Sequence, residues 1–174
     1  KKAVTSKTRA IDAKYVTLKG QSGNVKVSVT VGRAFKKMQE AAKKEANITL
    51  VPTSGIRDTA KQKQLFERVS AIVQKYAGKP YINPKTNRMD QAAFTAAAAK
   101  YKKATGKTLF KAGRPGTSTH EEGVGSALDI SLFSGKDRTT PAAHVWLTKN
   151  AKRFGFHQPN WAKIDDQVHW EYKR

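Results

Sequence analysis

The sequence predicts an α+β fold in a single domain, with a small central antiparallel sheet and flanking helices. Apolar residues alternate with polar ones in some short segments and recur at helical spacing in longer ones, so both kinds of element are expected. The chain has 174 residues, of which 38% are hydrophobic, and this suits one ordinary core. We expect residues 1–24 to form an irregular lead-in and residues 25–174 to form the folded domain.

The N-terminal half of this domain is predicted to contain two strands and three helices. Apolar and polar residues alternate over 25–30, as in a half-buried strand, and apolar residues recur at helical spacing over 32–46. A short strand is predicted over 48–52, where a proline closes it. An aspartate N-cap precedes each of two further helices, which are expected over 58–78 and 90–103.

The C-terminal part begins with a glycine-rich loop over 106–125, followed by a strand over 127–133 in which apolar and polar side chains alternate. A helix is expected over 141–153, because proline is favoured in the first turn and a glycine follows the end. The last strand, over 168–172, is predicted to place its apolar residues on one face and a His and a Glu on the other.

Charge is unevenly distributed along the chain. There are 34 Lys+Arg and 13 Asp+Glu, a formal net charge of +21, so we expect an anionic partner. Residues 1–119 contain 26 Lys+Arg and 6 Asp+Glu, whereas residues 120–174 contain 8 and 7. All four histidines lie in the second segment, so histidines and carboxylates are concentrated together.

The sequence contains no Cys and no long apolar stretch, and this limits the kinds of functional site and of protein to expect. The chain contains no Cys, which excludes disulfides, thiolate zinc sites and cysteine nucleophiles, so any metal must be bound by His and carboxylates. The longest apolar stretch, over 92–99, is too short to span a bilayer, and no signal-peptide core follows the first two lysines. We therefore expect a soluble protein without a transmembrane segment.

Three side chains in the C-terminal segment form a candidate metal site. His120 lies in the glycine-rich loop, Asp129 in an apolar strand, and His169 on the last strand. Two histidines and one carboxylate suit zinc, and three protein ligands leave a fourth position for water, as catalytic zinc sites require. Asp166 precedes His169 by three residues and is expected to act as the general base toward that water.

Two other catalytic patterns are excluded. The run His120-Glu121-Glu122 begins like H-E-x-x-H, but the fifth residue is Val124 instead of His, so it is not the helical zinc-protease motif. The run 116–120 is similar to G-x-S-x-G but lacks the last Gly and a preceding strand, which argues against a serine hydrolase.

Three motifs follow one another along residues 35–173. They are Ser54-Gly55-Ile56-Arg57 with Gln62, Ser118-Thr119-His120 with Gly125-Ser126-Ala127-Leu128-Asp129, and Asp166-Gln167-Val168-His169-Trp170. In this order they resemble the S-G-Y-R, S-x-H…G-x-A-x-D and D/E-x-x-H-W motifs of one family. That family is the VanY-type LAS group of zinc D,D-carboxypeptidases and L-alanyl-D-glutamate endopeptidases, which cut the stem peptides of peptidoglycan.

The resemblance implies a zinc-dependent peptidoglycan peptidase with Zn²⁺ as its cofactor. The implied zinc ligands are His120, Asp129 and His169, and the implied catalytic base is Asp166. Arg57 is implied to pair with the substrate or to stabilise a developing oxyanion, while Gln62 and Ser118 position the substrate. Whether the enzyme is an L-alanyl-D-glutamate endopeptidase or a D,D-carboxypeptidase stays open.

The sequence departs from the family pattern in the second motif. Four residues separate His120 from Gly125, two more than the family has. Glu121 or Glu122 could therefore compete as a metal ligand, or could form a hydrogen bond to one of the metal ligands. Ile56 replaces the aromatic residue of the first motif, which affects pocket packing alone.

The charge and the resemblance together suggest a setting for the enzyme. We expect its basic surface to bind anionic cell-wall or outer-membrane polymers, and a monomer to act at the bacterial cell wall, in the periplasm or outside. A bacteriophage endolysin or a bacterial cell-wall hydrolase would fit.

Two alternatives stay open. Lysine pairs such as Lys36-Lys37 favour a basic nucleic-acid-binding module, and the two-residue insertion favours a catalytically inactive wall-binding relative. Both alternatives predict that bound zinc is absent or idle, so zinc content and turnover separate them from the peptidase.

Overall fold

The computed structural model describes residues 15–173, except the side chain of Asp165. Its elements, in chain order, are β1 (Tyr15–Lys19), β2 (Asn24–Ser28), α1 (Val29–Ala46), β3 (Pro52–Ser54), α2 (Thr59–Ala77), β4 (Ile82–Asn83), β5 (Arg88–Met89), α3 (Gln91–Thr105), β6 (Ala127–Ile130), α4 (Ala142–Asn150), a 3-10 turn (Ala151–Phe154), β7 (Phe156–His157), α5 (Asn160–Asp165) and β8 (His169–Tyr172). The mixture of helices and antiparallel strands confirms the predicted α+β class. Within these residues, none of the helices has the length and apolar character needed to cross a membrane.

The first of two compact units combines the residues up to Arg57 with those from Thr119 onward. Its sheet has four antiparallel strands in the order β3-β6-β8-β7, while β1 and β2 form a separate hairpin. The largest fully buried apolar side chains of this unit are Phe35, Met38, Leu50, Leu128, Ile130, Leu147 and Phe156. Strands β6 and β8 are central in the sheet and pair with each other, so side chains on them are held rigidly.

The second compact unit comprises Asp58–Ser118 and contains helices α2 and α3. Both helices start at the predicted caps, since the carboxylates of Asp58 and Asp90 accept backbone N–H groups at 2.6 and 2.9 Å. Both end at a glycine in the left-handed conformation, Gly78 and Gly106. The buried cluster of this unit consists of Val69, Val73, Tyr81, Ala93, Phe94 and Ala97.

The last part of the predicted lead-in contains a strand. Residues 15–19 form β1 instead of irregular chain, and they pair with β2 so that Val16 lies opposite Val27. Leu18 on this strand is 4% exposed, so side-chain burial on one face and pairing with β2 stabilise the strand. Residues 1–14 lie outside the described part of the chain, and the boundary between lead-in and domain at residue 24 stays a prediction.

Several predicted elements differ from the structure at their ends. The strand predicted over 48–52 begins only at Pro52, because a residue without an N–H fits the start of an edge strand. Strand β6 ends at Ile130 instead of residue 133, since the Ser131 hydroxyl accepts the Phe133 N–H at 3.2 Å and turns the chain. The predicted helix over 141–153 is divided into α4 and the 3-10 turn, and β7 and α5 were not predicted at all.

Candidate metal centre

The three predicted zinc ligands meet in the first unit. Asp129 on β6 lies directly opposite His169 on β8 in the sheet register, and His120 lies in the loop that precedes β6. Asp129 Oδ1 is 3.0 Å from His120 Nε2 and 3.3 Å from His169 Nδ1, and these two nitrogens are 3.0 Å apart. All three side chains are buried, with exposures of 5% for His120, 7% for Asp129 and 3% for His169.

The orientation of each imidazole is set by a partner on its far edge. His120 Nδ1 lies 2.8 Å from the Gly55 carbonyl oxygen, so this nitrogen carries the proton and Nε2 presents its lone pair to the cluster. His169 Nε2 lies 3.2 Å from Glu171 Oε1, which leaves Nδ1 facing the cluster. Trp161 packs against the His169 ring with 4.8 Å between ring centroids.

The donor atoms of the three side chains suit a metal ion, because hydrogen bonds among them leave one carboxylate oxygen unpaired. Asp129 Oδ1 is buried yet makes no hydrogen bond of good geometry, although two ring nitrogens lie close to it. A buried carboxylate oxygen without a hydrogen bond, with imidazole nitrogens at 3.0 and 3.3 Å, is an arrangement that a divalent cation would complete. His120, Asp129 and His169 could therefore hold a metal ion, and their N and O donors suit zinc.

The charges in this cluster are strongly coupled. Burial opposes ionisation of Asp129, but the attraction of His120 and His169 outweighs it and holds the pKa of Asp129 well below its usual range. Burial likewise disfavours a charged His169, but Asp129 and Glu171 raise its pKa to about 9 in the metal-free protein. A metal ion would replace that proton, because it binds the neutral imidazole.

Asp166 lies at the C-terminal end of α5, three residues before His169. The charges of the cluster act on its carboxyl group. Its carbonyl oxygen accepts the His169 N–H at 2.9 Å, which forms the turn into β8. Burial and the charge of Asp129 raise the pKa of Asp166, against the opposing effects of His169, His120 and Arg57. The side chain is therefore a carboxylate of increased basicity that interacts electrostatically with the three candidate ligands.

Arg57 also reaches the cluster. Its Nη2 donates to Ser54 Oγ at 3.1 Å and lies 3.6 Å from Asp129 Oδ2, and its side chain is 29% exposed. The backbone is held as well, because the Arg57 N–H donates to the His120 carbonyl at 2.7 Å and the Arg57 carbonyl accepts the Glu122 N–H at 3.0 Å. The first and second motifs of the sequence are therefore adjacent in the structure.

Gln62 and Ser118 belong to the second unit, where both lie beside Gly113. Gln62 is 1% exposed and its Nε2 donates to the Gly113 carbonyl at 2.7 Å, while its Oε1 is buried without a hydrogen-bond partner. A Cβ atom on Gly113 would lie 3.4 Å from Ser118 Cβ. The structure thus brings these two predicted substrate-binding residues to one place in their own unit.

The insertion after His120 does not supply a further ligand from the described residues. Glu121 is buried and forms a parallel bridge with Arg57, whereas Glu122 forms a 2.6 Å ion pair with Lys26. The cluster that could hold a metal contains neither of them. The extra residues are accommodated by left-handed glycines, Gly123 at φ +90° and Gly125 at φ +55°.

Two contacts of the cluster were missed by sequence reasoning. The Gly55 carbonyl could not have been found, because a backbone contact leaves no side-chain signal. Glu171 lies two residues after His169, and the alternation of a strand places both on one face, so its proximity was foreseeable but its contact with the ring was not. Trp170, by contrast, points to the opposite face and is 3% exposed in the core.

Comparisons with known proteins place these features in a family. The family model VanY, D-alanyl-D-alanine carboxypeptidase, matches residues 24–173, and no curated protein sequence matches the chain significantly. Among solved structures, a mutant of the vancomycin resistance D,D-pentapeptidase VanY in complex with Zn(II) has a TM-score of 0.56 at 23% identity, covering 92% of this chain and 79% of that one.

Two further structures are similar. VanYB in complex with D-alanine-D-alanine has a TM-score of 0.54 at 23% identity and covers 94% of this chain and 81% of its own. The LD-carboxypeptidase LdcB has a TM-score of 0.51 at 22% identity, with 84% of this chain and 59% of that chain covered. At this level of identity, the structures show that the fold is shared.

The family match covers most of the chain and includes all three motifs. It confirms the predicted peptidase class, and the cluster of His120, Asp129 and His169 could hold the predicted zinc ion. The chain belongs to the VanY family of D-alanyl-D-alanine carboxypeptidases.

Proposed function

We propose that this chain hydrolyses the stem peptides of peptidoglycan and that its main reaction is D,D-carboxypeptidase cleavage. The observation that carries the proposal is the convergence of one carboxylate oxygen and two imidazole nitrogens within 4.8 Å, in a chain of the VanY family. The complex of VanYB with D-alanine-D-alanine supports a substrate that ends in this dipeptide.

The proposed zinc ligands are His120 through Nε2, Asp129 through Oδ1 and His169 through Nδ1. Bound zinc would act as a Lewis acid that polarises the scissile carbonyl and makes water more acidic. The contribution of the protein is to hold the three donors on paired strands and a hydrogen-bonded loop, so that little reorganisation is needed during the reaction.

Asp166 is proposed as the general base and acid. It accepts a proton from the attacking water as the new carbon–oxygen bond forms, and it delivers that proton to the amine as the carbon–nitrogen bond breaks. The raised pKa of Asp166 supports this role, because a more basic carboxylate is a better proton acceptor. The positive charges of His169, His120 and Arg57 oppose this rise in the metal-free protein.

Arg57 is proposed to bind the substrate in the first unit. Its guanidinium is only partly exposed and is steadied by Ser54, so its donors are oriented before substrate arrives. A planar guanidinium suits the terminal carboxylate of a carboxypeptidase substrate, or the oxyanion that develops during cleavage. Gln62 and Ser118 are proposed as further substrate-binding residues, and the buried, unpaired Oε1 of Gln62 supports this because it offers an acceptor.

The choice between carboxypeptidase and endopeptidase is tested by the products. The zinc-loaded protein is incubated with soluble muropeptides that carry an intact pentapeptide stem, and the products are identified by mass spectrometry. We expect each stem to lose one alanine. Release of the whole stem after its first residue would instead establish an L-alanyl-D-glutamate endopeptidase, and no cleavage by a zinc-loaded protein would establish an inactive relative.

The basic charge supports a second proposal, that the protein docks on anionic cell-wall polymers as a monomer at the bacterial cell wall. The second unit, residues 58–118, contains 13 Lys+Arg but 3 Asp+Glu. Two of these acids are the helix caps Asp58 and Asp90, and the third, Glu67, lies 3.9 Å from Lys63. The segment therefore has a large excess of cations over acids, and this excess would attract polyphosphate chains.

Charge reversal at Lys100, Lys102 and Lys103, all exposed on α3, tests this docking. We expect the variant to co-sediment less with walls that retain their phosphate polymers and to cleave soluble muropeptides as the wild type does. Unchanged sedimentation would contradict the proposal. Tight binding of the wild type to duplex DNA at physiological salt, without binding to walls, would favour the nucleic-acid alternative.

A further inference from the structure

Glu171 contacts both histidines on its side of the sheet. Its Oε1 lies 3.2 Å from His169 Nε2, and its Oε2 lies 3.6 Å from His157 Nε2. The strand pairing fixes this arrangement, because Glu171 on β8 lies directly opposite His157 on β7 and follows His169 on the same face. One carboxylate is thus held beside a proposed zinc ligand by the backbone register itself.

The contact lies on the opposite edge of the His169 ring from the metal cluster. Nδ1 of His169 faces Asp129 at 3.3 Å, whereas Nε2 faces Glu171. Because Glu171 approaches the second nitrogen, it cannot bind the same metal ion as Nδ1. A carboxylate at this edge accepts the Nε2 proton and so keeps the lone pair on Nδ1.

We infer that Glu171 is a positioning residue that selects the tautomer and orientation of His169 for zinc binding, an inference that rests on the proposed function. The side chain of His169 is 4% exposed, so water cannot take over the role of this acceptor. Trp161 packs on the ring face at 4.8 Å and restricts tilting, but it has no acceptor for the Nε2 proton. Selection of the tautomer therefore depends on Glu171.

His157 packs beside the carboxylate of Glu171 and restricts its position. It lies beside the second oxygen of Glu171 at a distance longer than a hydrogen bond, and its own Nδ1 is buried without a partner. It limits the rotation of the carboxylate by occupying the space next to it. His169 is therefore oriented directly by Glu171, and Glu171 is confined by the neighbouring strand.

The test compares Glu171→Ala and Glu171→Gln with the wild type. The readout is the zinc dissociation constant, measured by competition with a chromogenic chelator on the purified full chain. We expect Glu171→Ala to weaken zinc binding about 10- to 100-fold, as loss of such a partner does in other zinc proteins. Glu171→Gln keeps an acceptor oxygen and should recover most of that loss.

Glu45→Gln is the matched control, because Glu45 is also a paired carboxylate in the first unit but contacts Arg153 at 2.7 Å, away from the cluster. It should leave zinc affinity unchanged. Equal zinc affinity in Glu171→Ala and the wild type would overturn the inference, even if the variant unfolds more easily.

A second measurement needs no variant. Nitrogen-15 NMR of the zinc-loaded wild type should show the proton of His169 on Nε2, and a proton on Nδ1 would overturn the inference. Failure of the proposed function has a different signature, since it would appear as a wild-type protein that binds no zinc or cleaves no muropeptide.

Discussion

Replacing Gly55 with alanine tests whether the chain after β3 holds His120 in place. A Cβ atom at Gly55 would lie 2.9 Å from Val25 Cγ1 and 3.0 Å from Val27 Cγ1, and it would collide with the Lys26 carbonyl oxygen. That oxygen accepts the Ile56 N–H at 2.7 Å, so the backbone here cannot move away without breaking a hydrogen bond. The substitution must therefore displace Gly55 and its carbonyl group.

The size of the effect follows from these contacts. Overpacking of a close contact costs about 1–3 kcal/mol, and the lost hydrogen bond adds about 1 kcal/mol. The free energy of unfolding should fall by about 2–4 kcal/mol, which lowers the midpoint of thermal unfolding by roughly 4–16 °C in a domain of this size. Because the Gly55 carbonyl accepts the proton of His120 Nδ1, zinc affinity should also fall about 10- to 100-fold.

The assay is thermal unfolding of the metal-free protein together with a zinc competition titration. Gly113→Ala is the control, because its nearest neighbour, Ser118 Cβ, is at 3.4 Å, which leaves room for a methyl group. Its stability should stay within about 1 kcal/mol of the wild type, with unchanged zinc affinity. Equal values for Gly55→Ala and this control in both measurements would show that Gly55 does not hold His120 in place.

Two further substitutions and one change of pH test the roles of Asp166, Arg57 and His169. Asp166→Asn should keep stoichiometric zinc but lower turnover of muropeptides about 10²- to 10⁴-fold, as measured by zinc analysis and alanine release. Arg57→Lys should keep zinc and lower kcat/KM about tenfold or more, because an ammonium cannot replace the planar donor pair of the guanidinium. In the metal-free protein, burial lowers the pKa of His169 but Asp129 and Glu171 raise it from 6.5 to about 9, so stability should be full below pH 6.5 and decline toward pH 9 in urea unfolding.

A specific result would contradict each of these three predictions. Loss of zinc together with turnover in Asp166→Asn would make Asp166 a structural residue. Full activity in Arg57→Lys would mean that any positive charge suffices at this position. A urea midpoint that is constant between pH 6 and pH 9.5 would show that His169 gains no proton on folding without metal.

The three residues of the candidate metal site were identifiable in the sequence because each is an unusual residue type for its local setting. A histidine in a glycine-rich loop, an aspartate inside an apolar strand and a histidine on an alternating strand each stand out by type. What holds them in place was not predictable. The pairing of Asp129 with His169 depends on the register between β6 and β8, and register is set by tertiary packing.

The long helices were predicted better than the short strands for a similar reason. Helices α2 and α3 carry their own caps and apolar stripes, so local signals determine them. Strand β7 has two residues and exists because it pairs with β8, and β1 exists because it pairs with β2. A two-residue strand has no sequence pattern of its own, whereas β1 does alternate at Val16 and Leu18, as the predicted strand over 25–30 does.

The first unit is discontinuous in the chain, and this has a consequence for how the site assembles. Arg57 and His120 are joined by a backbone hydrogen bond, yet about 60 residues lie between them in sequence. Closing so long a segment carries an entropic penalty that the contacts at the site must overcome. A capped helix pair with its own buried cluster shortens the effective loop if it folds early, so residues outside the candidate metal site would set the rate at which that site forms.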